Sequence, residues 1–316
     1  MHNRLPSNPF APKPPLYPFH NRQQKNRFLQ LVREFLGRDG SPVAIENGMA
    51  VVEGGRGVHG LQNLAQVCHQ SPFAAWPGII AEHLGKSDEG RLEAVVGDVL
   101  TSFERSRDQL CVRVYPKEFA VGPLQHHIVH RFDLPETCTV LAVDIGPSII
   151  PVPTPVAEAW GVPLPMLFEC ALQNLPNLGK PRWERLQLPP SRCGAIDLLH
   201  DDFHATSHAL RPAAFQGRTG QFGNLIGLPA RGVLISHAIA AMPAISTIEA
   251  MLAITTGKHR DGPGSITPHL FWRTPEGQFY LQQGSTEGGR VRFVPSPEFV
   301  ELLVRLKGER PSRDEG

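Results

Sequence analysis

Three apolar runs, LCVRVY (110–115), TVLAVDI (139–145) and SIIPV (148–152), decide the fold class of this chain. Each is rich in β-branched residues and is followed by Pro or Gly, a pattern typical of β-strands. Later strand-like runs alternate with helical patterns and with a hairpin signal around 275–277. Strands joined by both hairpins and helices predict an α+β fold with a mixed, largely antiparallel sheet and packed helices.

The chain before residue 109 has mainly helical patterns. Apolar residues at helical spacing follow Arg27 and stop at Gly37, and residues 91–105 carry a second apolar stripe. Asn47-Gly48 between two β-favouring runs predicts a small hairpin, because both residues tolerate positive φ angles. We therefore predict four segments: a Pro-rich disordered tail (1–22), a mainly helical domain (23–108), the sheet domain (109–308) and a charged disordered tail (309–316).

Composition excludes several function classes. The chain has 316 residues, of which 41% are apolar and 19% are charged, and this balance is typical of globular proteins. A net charge of +1 supplies no field to attract nucleic acid or an anionic membrane. Five cysteines without metal-site spacing, and no apolar run of signal-peptide or membrane-span length, favour a soluble cytoplasmic protein.

The glycines of GRGVHG (55–60) match the spacing of a dinucleotide-binding fingerprint. That fingerprint requires a parallel strand–helix–strand unit, whereas here the preceding strand belongs to a predicted hairpin and no second strand follows. The sequence argues against a nucleotide at this position.

The phrases TVLAVDI, AWGV, ECALQNL, DDxxATS, GLPARGVLI and ITPHLFWRTPEGQ follow one another in an order that resembles the YtpQ-like family of bacterial proteins of unknown function. The resemblance covers roughly residues 110 to 280, with a weaker echo at VHGLQNLAQVCHQ (58–70). It implies an architecture and four matching positions, Asp144, Asn174, Asp202 and Arg231, but no reaction. The histidines at 200, 204 and 208 are not part of the family phrase.

The stretch HDDFHATSH (200–208) holds the densest polar chemistry in the chain. On an α-helix, His204 and His208 lie one turn apart and could share a zinc or other divalent ion with Asp201, leaving a position open to activate water. The simpler interpretation is that Asp202 caps a helix that begins at residue 203, with the histidines as partly exposed polar residues. A serine nucleophile at Ser207 is disfavoured, because Ser207 and His208 point about 100° apart on a helix and no GxSxG motif is present.

Three further features are candidates for a site. His126, His127 and His130 form a second cluster that could converge with the first on one ion. Asp144 follows an apolar strand and is either a ligand-binding or a turn residue. Arg231 could grip a carboxylate or phosphate through two hydrogen bonds, or bind a backbone carbonyl or Asp144.

The sequence therefore leaves two functions open. The first is a binding or regulatory module for an unknown protein or small molecule, with a pocket near the aromatic residues Trp160, Phe168 and Trp272. The second is a metal-dependent hydrolase, in which Asp144, Asp202 and Arg231 would be the catalytic candidates and His204, His208 and Asp201 the metal ligands.

Overall fold

A computed structural model of the chain divides into two compact units, Met1–Glu89 and Gly90–Gly316. It describes residues 17–19, 21–46, 49–52, 58–85, 97–121, 127–146, 148–187, 195–201, 203–241, 245–287 and 290–308. Among these residues, no helix combines the length and the apolarity that crossing a bilayer requires. The fold class is α+β, as predicted.

In its described residues, the first unit packs three α-helices, a 3₁₀ helix (Phe73–Ala75) and a small antiparallel sheet around one apolar core. Its elements are α1 (Arg22–Leu36), β1 (Val43–Glu46), β2 (Met49–Val52), β3 (Val58–Gly60), α2 (Gln62–His69) and α3 (Trp76–Gly85). Asn21 caps α1 by accepting a hydrogen bond from the backbone N–H of Gln24, and Gly37 ends the helix. Phe28 and Trp76 are central to the core, which this unit forms by itself.

The predicted hairpin is confirmed, because β1 pairs antiparallel with β2 and Glu46 faces Met49 across the turn. The turn residues Asn47 and Gly48 lie outside the described residues. Gly60 of the glycine-rich stretch belongs to β3, which pairs antiparallel with β2. This antiparallel pairing differs from the parallel arrangement that a dinucleotide fingerprint needs.

The second unit contains two antiparallel sheets. A four-stranded sheet consists of β4 (Leu110–Pro116), β5 (His130–Arg131), β6 (Thr137–Asp144) and β7 (Ile149–Pro151), with β4 on one side of β6 and both short strands on the other. A seven-stranded sheet has the order β14-β13-β12-β10-β11-β9-β8. Its strands are β8 (Arg182–Gln187), β9 (Ala195–His200), β10 (Asn224–Ala230), β11 (Val233–Ala238), β12 (Leu270–Arg273), β13 (Phe279–Glu287) and β14 (Arg290–Val294).

Helices pack on both sheets. They are α4 (Phe103–Ser106), α5 (Glu118–Val121), α6 (Thr154–Ala159), α7 (Leu164–Leu178), α8 (Ile245–Asp261) and α9 (Pro297–Gly308), and a 3₁₀ helix spans Ala205–Leu210. Helix α7 covers the four-stranded sheet with Leu167, Ala171 and Leu175. On the seven-stranded sheet, Leu252 of α8 and Phe299 of α9 lie in one apolar cluster.

Three predicted boundaries differ from the structure. The second unit already includes residues 97–109, because Trp160 donates a hydrogen bond to the carbonyl of Leu100 and Asn174 donates one to that of Arg107. The helix predicted at 91–105 breaks at Ser102, whose extended backbone caps α4; its first residues lie outside the described part of the chain. Thr154 is the first residue of α6 and not its cap.

Candidate functional site

The histidine segment, residues 200–208, joins the two sheets of the second unit. It begins at the end of β9 and continues into the 3₁₀ helix Ala205–Leu210. The Ser207 hydroxyl donates a 2.7 Å hydrogen bond to the carbonyl of Val112 in β4. The backbone N–H of Thr206 donates to the carbonyl of Arg231, which follows β10. One short helix thus bonds to a strand of the four-stranded sheet and to a turn of the seven-stranded sheet.

The aspartate Asp201 lies at the start of this helix and binds its backbone. The Asp201 carboxylate accepts hydrogen bonds from the backbone N–H groups of Phe203 and His204, each at 3.3 Å. His204, the residue before the helix, makes no side-chain cap. Asp202 lies outside the described residues.

His204 and His208 do not lie above one another. The prediction assumed an α-helix from residue 203, whereas the helix is 3₁₀ and begins at Ala205. With 3.0 residues per turn, residues four apart are rotated by about 120°. His204 and His208 therefore face different partners, and both are buried, with 1% of their surface exposed, where partial exposure was predicted.

His204 pairs with Asp144. Its Nε2 donates to the Asp144 carboxylate over 2.9 Å, and the side chains are 1% and 12% exposed. The other Asp144 oxygen accepts a hydrogen bond from the backbone N–H of Gly146 at 2.8 Å, as expected of a turn residue. Asp144 is thus a turn residue and a histidine partner at once. Nδ1 of His204 is buried, and no residue in the described ranges hydrogen-bonds to it.

His208 lies between Asp201 and Arg211. Its Nδ1 is 3.2 Å from the Arg211 guanidinium, and because arginine can only donate, Nδ1 accepts and the ring proton lies on Nε2. That Nε2 faces an Asp201 oxygen at 3.8 Å, beyond hydrogen-bonding distance. Burial raises the pKa of Asp201, but the facing His208 and the two backbone N–H groups outweigh it and leave this pKa below its usual value.

The predicted metal ligands are therefore distributed over separate pairs. Within the described ranges, no group of three or more His, Cys, Asp or Glu side chains is placed to hold a metal ion. His200 ends β9 and lies 3.3 Å from Glu184. His127 is exposed, His130 contacts the carbonyl of Ile128 at 3.1 Å, and His126 lies outside the described residues.

The remaining predicted positions have structural contacts. Asn174 donates to the carbonyls of Arg107 and Leu110 and so satisfies an outer carbonyl of β4. Phe168 is buried, and it packs with Trp160 in the core under the four-stranded sheet. Trp272 packs with Tyr280 and Phe299 on the other sheet. The three aromatic residues do not form the common pocket that the sequence suggested.

Arg231 lies in the turn between β10 and β11, next to a second arginine that sequence reasoning missed. The guanidinium carbons of Arg113 and Arg231 lie 5.6 and 4.9 Å from the centre of the same Tyr115 ring. Arg113 is only 7% exposed, and the Nε atoms of both arginines are buried with no hydrogen-bond partner among the described residues. The only signal in the sequence was a charged residue in the middle of the apolar run LCVRVY.

Burial lowers the pKa of Arg231, and the neighbouring positive charge of Arg113 lowers it further. Within the part of the chain that the structure describes, no carboxylate forms an ion pair with either arginine. One buried and one partly buried positive charge therefore contact the same ring without a neutralising acid among these residues.

Comparison with known proteins adds no assignment, because no protein-family model, curated protein or solved structure matches this chain.

Proposed function

We propose that this protein is a binding or regulatory module and that the histidine segment is structural, not hydrolytic. The observation that carries this proposal is burial: Asp201, His204, Ser207 and His208 are 6%, 1%, 1% and 1% exposed. A hydrolytic centre must admit both water and substrate to its metal or nucleophile. Side chains buried to this degree are better suited to connecting the two sheets than to catalysing hydrolysis.

The directions of the hydrogen bonds support the same role. Ser207 gives its proton to a main-chain carbonyl of β4, so its hydroxyl is not directed at a histidine base. One oxygen of the Asp201 carboxylate accepts hydrogen bonds from two backbone N–H groups. Buried polar side chains that satisfy main-chain groups at a sheet edge are typical of structural networks.

A metal-dependent hydrolase is the second candidate, and one observation favours it. Asp144 orients His204 through Nε2 and leaves Nδ1 buried and free, which resembles the carboxylate–histidine arrangement behind many metal ligands. His208 Nε2 and one Asp201 oxygen are also buried without hydrogen-bond partners. These three atoms are the ones through which a metal would have to bind.

The metal content of the protein separates the two functions. We expect untagged protein, purified without added metal, to contain substoichiometric zinc, manganese and iron, and to melt at the same temperature with and without a chelator. We expect the double variant His204→Asn/His208→Gln to be less stable, because it removes the imidazole that binds Asp144 and the imidazole that faces Asp201. Stoichiometric metal that is lost in the double variant, together with a chelator-sensitive melt, would establish the hydrolase instead.

We also propose that the chain belongs to the YtpQ-like family and that it is located in the cytoplasm. Four cysteines, Cys68, Cys111, Cys138 and Cys170, are free thiols, which suits a reducing compartment. Neither point bears on the choice between binding and hydrolysis.

A further inference from the structure

The arginine pair, Arg113 and Arg231, brings two positive charges to the ring of Tyr115. Arg113 and Tyr115 are two residues apart in β4 and therefore lie on the same face of the sheet. Arg231 reaches the same ring from the turn after β10. The pair therefore belongs to neither sheet alone, but to the junction that the histidine segment holds together.

An arginine buried without a counter-charge is costly. A guanidinium stays protonated in proteins, so burial cannot neutralise it, and buried charges are normally paired. Here Arg113 is 7% exposed, its Nε has no hydrogen-bond partner among the described residues, and the neighbouring charge of Arg231 repels it. A bound anion would offset this cost.

We propose that Arg113 and Arg231 form a binding site for the phosphate group of a small molecule. This inference rests on the proposed binding role and names its ligand class. Nε and the adjacent terminal nitrogen form the edge through which a guanidinium makes paired hydrogen bonds to an oxyanion, and Nε is free on both residues.

The number of charges selects phosphate over a carboxylate. Two guanidinium groups carry two positive charges, and a phosphate monoester carries about −1.5 to −2 near pH 7, whereas a carboxylate carries only one negative charge.

The enclosure of Arg113 favours a small ligand over a protein surface, because a side chain 93% buried leaves little room for a partner chain. Arg231 is only partly buried and provides the side from which the ligand enters.

A glycine shapes this entrance. Gly264 accepts a hydrogen bond from the backbone N–H of Arg231 through its carbonyl, and its φ of +70° is one that glycine adopts without strain. A side chain at Gly264 would press on the Arg231 side chain at Cγ, Cδ and Nε, with contacts of 2.9 to 3.0 Å. Glycine at position 264 thus leaves the space that the Arg231 side chain occupies.

Thermal unfolding of the full chain with increasing inorganic phosphate tests the site, with chloride adjusted to constant ionic strength. We expect saturating phosphate to raise Tm by about 5 °C and acetate to raise it much less. Arg113→Met and Arg231→Met should abolish the phosphate effect and, without phosphate, melt at or above the wild-type temperature, since each removes an unpaired buried charge. Arg113→Lys and Arg231→Lys keep the charge but lose the paired geometry, and should bind phosphate at least about tenfold more weakly by calorimetry.

Arg273 provides a matched control. It is also buried, at 4% exposure, and lies 4.9 Å from the centre of the Phe215 ring, but it has no second guanidinium beside that ring. Arg273→Met should retain the full phosphate effect. A phosphate effect no larger than that of chloride, or one that Arg273→Met removes as completely as Arg113→Met does, would overturn the proposal. So would a large fall in Tm for Arg113→Met and Arg231→Met without phosphate, because it would reveal a structural partner for the arginines.

The outcome for this site is distinguishable from the outcome for the proposed function. Metal-dependent release of phosphate from a chromogenic phosphate monoester would refute the binding role, whichever residues bind phosphate. Absence of phosphate binding by a metal-free protein without such turnover would refute the arginine site alone.

Discussion

Replacement of Gly179 by alanine should destabilise the histidine segment specifically. Gly179 ends α7, and a Cβ built on it would lie within 3.0 Å of every atom of the Asp201 carboxyl group, closer than real Cβ atoms come. The backbone at Gly179, with φ −102° and ψ −177°, is extended and suits alanine. The expected effect therefore comes from the clash with Asp201 and not from backbone strain.

The size of the effect follows from the contacts of Asp201. Its carboxylate would have to move until the new Cβ reached ordinary contact at 3.4 Å or more. The hydrogen bonds that it accepts from Phe203 and His204 are already 3.3 Å long, so such a movement breaks both. Loss of two hydrogen bonds to a buried charged acceptor should cost about 3 kcal/mol of the free energy of unfolding.

Urea unfolding measures this cost, and two controls make it specific. Gly257→Ala, in the interior of α8 with no atom within 4 Å of the new Cβ, should stabilise the same unit by about 0.5–1 kcal/mol. In an Asp201→Ala background the clash is absent, so Gly179→Ala should become nearly neutral. A cost below about 1 kcal/mol, or the same cost in both backgrounds, would refute the inferred contact between Gly179 and Asp201.

Three other predictions concern the second unit. Ser207→Ala removes the hydrogen bond to Val112 and leaves a buried carbonyl unsatisfied, so urea unfolding should show a loss of about 1–3 kcal/mol, and an unchanged midpoint would contradict this role. Burial lowers the pKa of His259 and of His269 from 6.5, so the unfolded chain binds protons more readily than the folded chain. The free energy of unfolding should therefore fall as pH drops below 6.5. His269→Gln should reduce the slope of stability against pH, whereas His127→Gln, at an exposed position, should not. Gly223→Ala places a side chain at φ +84° and against a backbone carbonyl, so we expect a loss of more than about 2 kcal/mol, and soluble protein with a wild-type urea midpoint would show that expectation to be wrong.

Much of the fold could be predicted because local patterns and tertiary structure agree. Strands β4 and β6 coincide with β-branched runs that end at Pro or Gly, and the hairpin between β1 and β2 follows from Asn47-Gly48. Strands β9 and β11 were not predicted, although they lie side by side in the middle of the large sheet. Both carry runs of consecutive buried residues, so the alternation that indicates a strand is absent.

The site could be predicted only in part, because its character depends on residues distant in sequence. The polar segment 200–208 was recognised, but its exposure was predicted wrongly, since the carbonyl that binds Ser207 comes from a strand 95 residues away. Asp144 was a candidate on its own, without any signal that it meets His204, 60 residues later. A 3₁₀ helix also has no signature in this sequence that separates it from an α-helix.

Strand β4 connects the two polar clusters of this unit. It lies at the side of its sheet, where no other strand of the described ranges pairs with it. Side chains satisfy two of its outer carbonyls: Asn174 bonds to Leu110 and Ser207 to Val112. The next residue along the strand is Arg113. On the other side of the same joint, Thr206 bonds to the carbonyl of Arg231.

Two neighbouring residues of the 3₁₀ helix therefore bind the backbone at the arginine pair. Ser207 binds the residue before Arg113, and Thr206 binds Arg231 itself. Positions that must hold two like charges near each other need rigid support, because repulsion would otherwise separate them. The hydrogen bonds that Ser207 and Thr206 make to main-chain carbonyls on both sides supply that rigidity. On this argument the polar residues that resemble a catalytic centre are the support, and the ligand binds at the neighbouring pair of arginines.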